Sequence, residues 1–497
     1  MPNDKREYMF RAPESLAQRK SYGGKKKKRE NKYRTEFMRD RDRIMYCRSF
    51  RRLGGKTQIY RVGGNDHQRN RLTHTLEVAQ ISRTIAIALD LDCDLAEAIA
   101  LGHDLGHAPF GHAGEEILDK IMTPGENNPI DNSPLKITAE SNNDQQGTLD
   151  EVGSVFGFKH NIQSVRIISE IDNSYQENGL DLTNFTLWGI MNHSDTTYGG
   201  RDECNYKKTL EDVMRLGKKL KSNRNHEAWS FEAFVVKQAD EIAQWHHDLE
   251  DALRGNAITP ETVCDIINKA LEPKLKNNSK ERNMLKKLRK RKHVDQIYLT
   301  QMSHIVIEML MQWLIDSSQK NLSILEEHFF KDDKSMKNVI MKYNWREEYI
   351  QKAIGFRLLN VDGKIINEEA VDNLESSFRN QIHERIHHSQ DVERMNAKGK
   401  FIIERLFASY YAAPQQLPTG VLIQFMLDYG RDNNGTRIIE SWDDALSRGS
   451  GEVRIKFKEI YSEPSKALQI GLMRKICDHI AGMTDHFALE EYKNLYG

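Results

Sequence analysis

Residues 71–115 read RLTHTLEVAQISRTIAIALDLDCDLAEAIALGHDLGHAPFGHAGE, and the spacing of imidazoles in this stretch decides how the rest of the chain is read. Counting from His74, apolar Val78, Ile81, Ile85 and Leu89 recur at helical intervals, so His74 opens the inward stripe of an amphipathic helix. In the next segment Leu95, Ile99 and His103 share a stripe, and Asp104 lies roughly 100° further round. Adjacent side chains do not face each other, but both can bend towards a cation between them. A mixed imidazole and carboxylate set suits Mn, Fe, Ni, Co or Zn better than Ca or a thiolate site. His107 is expected one turn beyond His103 on the same face, with Pro109 ending that helix. His112 and Glu115 follow after a tight glycine-containing turn. A run this rich in imidazole is poor for packing and good for proton transfer.

Composition sets the outer bounds. A chain of 497 residues can bury a large core, and 11 prolines with 38% hydrophobic and 29% charged residues favour a helix-rich soluble protein. Basic and acidic residues balance at 73 each, so no global field points to nucleic acid or to an acidic membrane. The cysteines at 47, 93, 204, 264 and 477 are scattered without a CxxC pair, which fits a reducing cytoplasm. MPNDKREYMF has no apolar segment of a secretory signal, and the longest apolar run, Ile305 to Ile315, is too short to span a bilayer. A cytoplasmic protein without membrane contact is expected, and Asn192-His193-Ser194 is then a chance match to a glycosylation triplet.

Residues 1–30 read as a mobile basic arm ending in GGKKKKRE. The following RTEFMRDRDRIMYCRSFRRLGGKTQIY mixes arginines with apolar Phe37, Ile44, Met45, Phe50 and Leu53. It is either a salt-bridged surface helix or a source of guanidinium groups for phosphate. Gly54-Gly55-Lys56-Thr57 is no P-loop, because that motif needs glycine where Phe50 stands. Residues 123–150 read as a long loop, and FKHNIQSVRII places His160 at or before a helix. From Phe231 to Arg254 a long helix buries Phe231, Val235, Ile242, Trp245, Leu249 and Leu253, with Asp240, Gln244 and Asp248 on the opposite side. Spacing alone makes that side solvated unless a cleft lies there. Lys280 to Lys292 is a basic run suited to an anionic partner. Amphipathic helices follow at 301–317, 335–354, 371–388, 396–411, 420–430 and 464–495, with strand-like alternation only near 355–367. His383-Glu384-Arg385-Ile386-His387 matches HExxH, but Arg385 stands where such helices are apolar and the match is read as chance.

These pieces, in this order, resemble the dGTP triphosphohydrolases of the HD-domain superfamily. The carriers are RTEFMRDRDRI, RSFRRLGGKTQIY, RLTHTLEV, GHDLGHAPFGHAGE, FKHNIQSVRI, QADEIAQWHHDLEDA, DVERMNAKGKFII and IAGMTDHFALEEY. The resemblance implies a mainly α fold, with an HD-domain core over 31–270 and additional C-terminal helices over 271–497 that complete the pocket and make oligomer contacts. It implies one divalent metal per subunit (Mn, Mg, or Ni, Co or Fe) held by His74, His103, Asp104 and Asp240. The implied reaction is hydrolysis of a dNTP, dGTP preferred, to deoxynucleoside and triphosphate. His112, hydrogen-bonded to Glu115, would be the general acid, and His107 and His160 would contact the α-phosphate. Arg71 would bind phosphate, Gln58 the base edge and Asp248 the sugar 3′-hydroxyl. Gln244 stands where the family commonly has a Tyr that excludes ribose. A tetramer or hexamer, with single-stranded DNA or a dNTP as effector, would fit the same family. The alternatives are an HD phosphodiesterase or nucleotidase, and a nucleic-acid-binding regulator using the basic arm and Lys280 to Lys292.

Overall fold

The computed structural model describes residues 9–22, 33–58, 69–136, 157–175, 179–194, 228–254, 258–270, 280–291, 295–366, 369–378, 382, 388–431 and 437–497. The HExxH pentapeptide, Cys204, the lysine run of the N-terminal arm and the loop beyond residue 136 lie outside the described residues.

Local capping starts the helices where the sequence supplies a polar side chain. Thr35 opens α1 (Glu36–Tyr46) by accepting from Met38 N at 3.0 Å, and Cys47 caps the short α2 (Arg48–Arg52). Asn70 and Thr73 form a reciprocal capping box at the start of α3 (Arg71–Ala88), which fixes the phase in which Arg71 and His74 point inward. Asp92 caps α4 (Cys93–Gly102) through Asp94 N and Leu95 N. Then come α5 (Gly111–Met122), α6 (His160–Arg166), α7 (Asn184–Asn192) and α8 (Phe231–Arg254). The chain continues through α9 (Pro260–Ala270), α10 (Lys280–Leu288), α11 (Gln296–Ile324), α12 (Met336–Lys342), α13 (Glu348–Gln351) and α14 (Glu369–Ser376). It ends with α15 (Gln390–Ala412), α16 (Thr419–Tyr429), α17 (Trp442–Ile460), α18 (Lys466–Ala481) and α19 (Asp485–Tyr496).

The mainly helical reading holds, with local corrections: the helix expected at 335–354 is two, Met336–Lys342 and Glu348–Gln351, and of the arm expected to be mobile over 1–30, the described residues 9–22 pack with Phe10 and Arg19 buried. Among the described residues the strand-like stretch near 355–367 yields only an isolated bridge between Leu359 and Ile365. The expected helix at 464–495 breaks after Ala481, where Thr484 caps a new helix. His107 does not continue the helix of His103: α4 stops at Gly102, and residues 103–110 run as turns. No described helix is long and apolar enough to cross a membrane.

Helix α4 is the centre, packed against α1, α3, α7 and α8. The α4–α7 contact is unusually close because both partners offer a glycine. A side chain at Gly102 would meet Ile190 Cδ1 at 2.4 Å, and one at Gly189 would meet Ile99 Cδ1 at 2.4 Å. The apolar core falls into two clusters: α3, α4, α7, α8 and α11 share one, while α5 joins α15 to α19 in the other. The stretch from 103 to 115 crosses from the first cluster to the second.

Candidate functional site

Helix ends supply most of the site. His74, one turn into α3, is buried and donates from Nε2 to Asp240 Oδ1 at 2.9 Å, with Asp104 Oδ2 at 4.0 Å. His103 caps the C-terminus of α4, and its Nδ1–H donates to the Ala100 carbonyl at 2.6 Å. That bond leaves a lone pair on Nε2. Nε2 is buried without a hydrogen-bond partner, 3.4 Å from Asp104 Oδ1 and 3.7 Å from Asp240 Oδ1. A lone pair facing two carboxylates in a dry interior is unfavourable unless a cation lies between them. The donor set therefore fits a divalent metal, with imidazole and carboxylate as its chemistry.

Neighbouring charges keep both carboxylates ionised. Burial works against this, but for Asp240 the His74 and His103 imidazoles outweigh it. For Asp104 the same role falls to His103, His107 and Arg71, and both carboxyls sit well below the usual range. Arg71 Nη1 donates to Asp104 Oδ2 at 2.7 Å, and His107 Nε2 lies 3.0 Å from Oδ1. The side of α8 carrying Asp240, Gln244 and Asp248, solvated by spacing alone, is covered by α3. Asp248 is buried and Gln244 half-buried. Gln58 abuts Gly111 beside Arg71, with its Oε1 buried and unpaired.

Beside this candidate metal-binding set, His107 and His160 stack with centroids 3.9 Å apart and planes at 10°. His160 opens α6 and donates from Nδ1 to Glu115 Oε2 at 2.9 Å. The expected His112–Glu115 hydrogen bond is not formed, since His112 Nδ1 is 4.0 Å away with its side chain 63% exposed. As i and i+3 the two share a helix face, but Glu115 is taken by the His160 ring at 2.9 Å and lies 3.4 Å from its amide, which leaves His112 beside it at the exposed start of α5. Burial opposes protonation of His160, but the Glu115 carboxylate outweighs it and lifts this imidazole above its ordinary value. For His107, burial and then Arg71 push the other way, well below it.

The C-terminal helices hold this arrangement in place. Phe110 and Gly111 both take left-handed backbone angles, φ 62° and 61°. For Phe110 this costs roughly 1–2 kcal/mol. Asp485, first residue of α19, offsets that strain by accepting from Phe110 N at 2.9 Å and from Thr57 N at 3.0 Å. Asp478 of α18 accepts from Gln163 and Arg166 of α6 at 3.0 and 2.7 Å. Buried Lys56 donates to the carbonyls of His107 and Ala481, the latter at 2.8 Å. Spacing patterns miss Lys56, Asp478 and Asp485 because each acts through tertiary contacts. His193 is also missed, although IxxH at 190–193 repeats the AxxH arrangement of His103.

Burial, with the Arg71 charge next, pushes the Lys56 ammonium down to about 7. In the unfolded chain a lysine titrates near 10.4. Between these values the unfolded chain binds a proton that the folded chain lacks, so this residue makes stability rise with pH across that window. Lys56→Met should weaken the rise, read as the change in urea-unfolding free energy between about pH 7 and pH 9.5. Equal changes in both proteins would show that the folded lysine stays charged.

Comparison with known proteins gives the same site a lineage. The HD domain family model matches residues 71–298, and the phosphohydrolase-associated domain matches residues 428–494. A deoxyguanosinetriphosphate triphosphohydrolase-like protein of Bartonella quintana is 31% identical over 93% of this chain and 90% of its own. Its counterpart from Caulobacter vibrioides is 29% identical over 98% and 97%. One from Caldanaerobacter subterraneus reaches 38% over 52% of this chain and 57% of its own. With a metal-ready HD centre and end-to-end similarity of this kind, the chain belongs to the deoxyguanosinetriphosphate triphosphohydrolase-like family of HD-domain phosphohydrolases.

Proposed function

We propose that the protein hydrolyses dGTP, and with lower preference other dNTPs, to deoxynucleoside and inorganic triphosphate by attack of water at the α-phosphorus. The observation that carries this reading is the buried lone pair of His103 turned towards two ionised carboxylates, beside the arginine and histidines that a phosphate needs. His74, His103, Asp104 and Asp240 would hold one divalent ion, Mn or Mg or else Ni, Co or Fe. When bound, such an ion lowers the pKa of water and polarises a phosphate oxygen.

The remaining steps belong to side chains. Arg71, already anchored on Asp104, points its guanidinium at phosphate oxygens. The stacked His107 and His160 form the wall against which the α-phosphate lies. As the P–O5′ bond breaks, the sugar oxygen takes a proton. His160, which Glu115 holds and whose affinity for a proton it raises, is the donor in this reading, and His112 at the exposed mouth contacts substrate. Gln58 would read the base, while Asp248 and Gln244 would face the sugar. Effector binding and assembly into a tetramer or hexamer would extend the same reading.

Gln244 tests the sugar pocket. A Tyr ring there would collide with a 2′-hydroxyl, whereas Gln can hydrogen-bond to one. Gln244→Tyr should raise the dGTP over GTP ratio of kcat/KM by about 10-fold or more, since an unpaired or crowded hydroxyl costs on the order of a few kcal/mol. Unchanged ratios would remove Gln244 from the sugar site. The reaction itself is tested by anion-exchange analysis of products from each dNTP with Mn or Mg. Triphosphate is expected. Pyrophosphate with monophosphate would instead identify a phosphodiesterase or nucleotidase.

A further inference from the structure

Helix α7 ends at Asn192, and His193 is its C-terminal cap, buried and 3% exposed. Its Nδ1–H donates to the Ile190 carbonyl at 2.6 Å, the same three-residue reach and the same distance that His103 uses with Ala100. The glycine-mediated contact between α4 and α7 brings these two helix-end imidazoles together, with centroids 5.0 Å apart and planes at 82°. Because the carbonyl can only accept, Nδ1 carries the proton and Nε2 carries a lone pair. Nε2 makes no hydrogen bond among the described residues.

The surroundings say what that lone pair can take. His193 lies within 4.8 Å, ligand atom to ligand atom, of His103 and Asp240, and likewise of Asp104 and His160. It therefore stands between the metal ligands and the histidine wall, away from His74, with which it shares no such group. None of these neighbours is hydrogen-bonded to His193 among the described residues, and polar atoms this close without a direct bond can share a water. A neutral acceptor in that position is suited to one partner above others: a water molecule donating its proton while its oxygen turns to an electrophile.

We propose that His193 is a catalytic residue that holds the attacking water, its Nε2 accepting a hydrogen bond from that water and so aiming an oxygen lone pair at phosphorus. The inference rests on the phosphohydrolase reading above. Holding a nucleophile in line is worth a large factor in kcat and little in substrate binding, because the water is aligned only for the reaction.

The test replaces His193 with Leu, which removes the acceptor, and with Gln, which restores one on a flexible arm. His193→Leu should lower kcat by about 10²-fold with KM changed less than about threefold. Its Mn content by elemental analysis and its Mn affinity by calorimetry should match wild type. His193→Gln should recover about tenfold of the lost kcat. Loss of Mn from His193→Leu would overturn the proposal by making His193 a metal ligand, and so would unchanged kcat in a folded, metal-loaded variant. If the Leu variant does not fold, the Gln variant decides: wild-type Mn affinity with a reduced kcat supports the role, and wild-type kcat or lost Mn refutes it. Failure of the wild type on all four dNTPs would defeat the nucleotide reading separately, and the same ratios would then be measured on bis(p-nitrophenyl) phosphate.

Discussion

Asp104→Ala should leave the protein without its metal and lower kcat/KM for dGTP by about 10³-fold or more. No other side chain in the site meets so many partners. Its carboxylate receives Arg71 at 2.7 Å and His107 at 3.0 Å, with His103 Nε2 at 3.4 Å and His74 Nε2 at 4.0 Å. Deleting it removes a ligand and also leaves the buried Arg71 guanidinium without its counter-charge, which typically costs 3–5 kcal/mol, so roughly that much stability goes too. Asp104→Asn separates the two effects, since it keeps the shape and an acceptor for Arg71 while removing the charge that a divalent ion needs. Elemental analysis of both purified variants gives the answer, with circular dichroism to show that the helices remain. Full metal occupancy in Asp104→Asn, with activity retained, would take Asp104 out of the ligand set.

The next largest effect is expected at the Glu115–His160 pair. His160→Ala should keep its metal and its KM while kcat falls by about 10²–10⁴-fold, the usual worth of a positioned proton donor. Glu115→Gln should lose a similar factor, because an amide neither holds the imidazolium nor orients it. The double variant should be scarcely worse than either single one, since the two residues act as a unit. His112→Ala is the control within the same cluster. A smaller kcat loss there, with a raised KM, would match a residue at the mouth; a larger kcat loss than in His160→Ala would make His112 the proton donor instead.

Much of the fold is legible in sequence because helical stripes and caps are local. The inward phase of His74 follows from Val78, Ile81 and Ile85, all of which are buried with it. Asp240 is legible only through resemblance. Its own helix gives no sign that α3 will cover a face whose spacing reads as solvated. The end of α4 is misread for a related reason: helical spacing from His103 to His107 continues on paper, while the chain turns after Gly102 to pass between two cores. The partner of Glu115 is a long-range choice between His112, three residues away, and His160, forty-five residues away. Sequence proximity favours the former, and the fold brings the first residue of α6 to the Glu115 carboxylate instead. His193 shows the opposite case, a local arrangement that resembles that of His103 but stands at the end of a segment with no other chemical mark.

The bond from Phe110 to Asp485 spans 375 residues, and that distance sets a clock. At about 5–20 residues per second, a ribosome needs roughly 20–75 s to travel from one to the other. Once residue 240 has been made, the nascent chain contains His74, His103, Asp104 and Asp240 for the rest of that interval, but the turn that leads into Glu115 lacks its anchor. A chain released between residues 241 and 484 would carry the whole candidate metal-binding set and still lack the hydrogen bond that holds this turn. The candidate site is therefore assembled only after Asp485 has been made and α19 has docked beside α5, long after its His and Asp side chains exist.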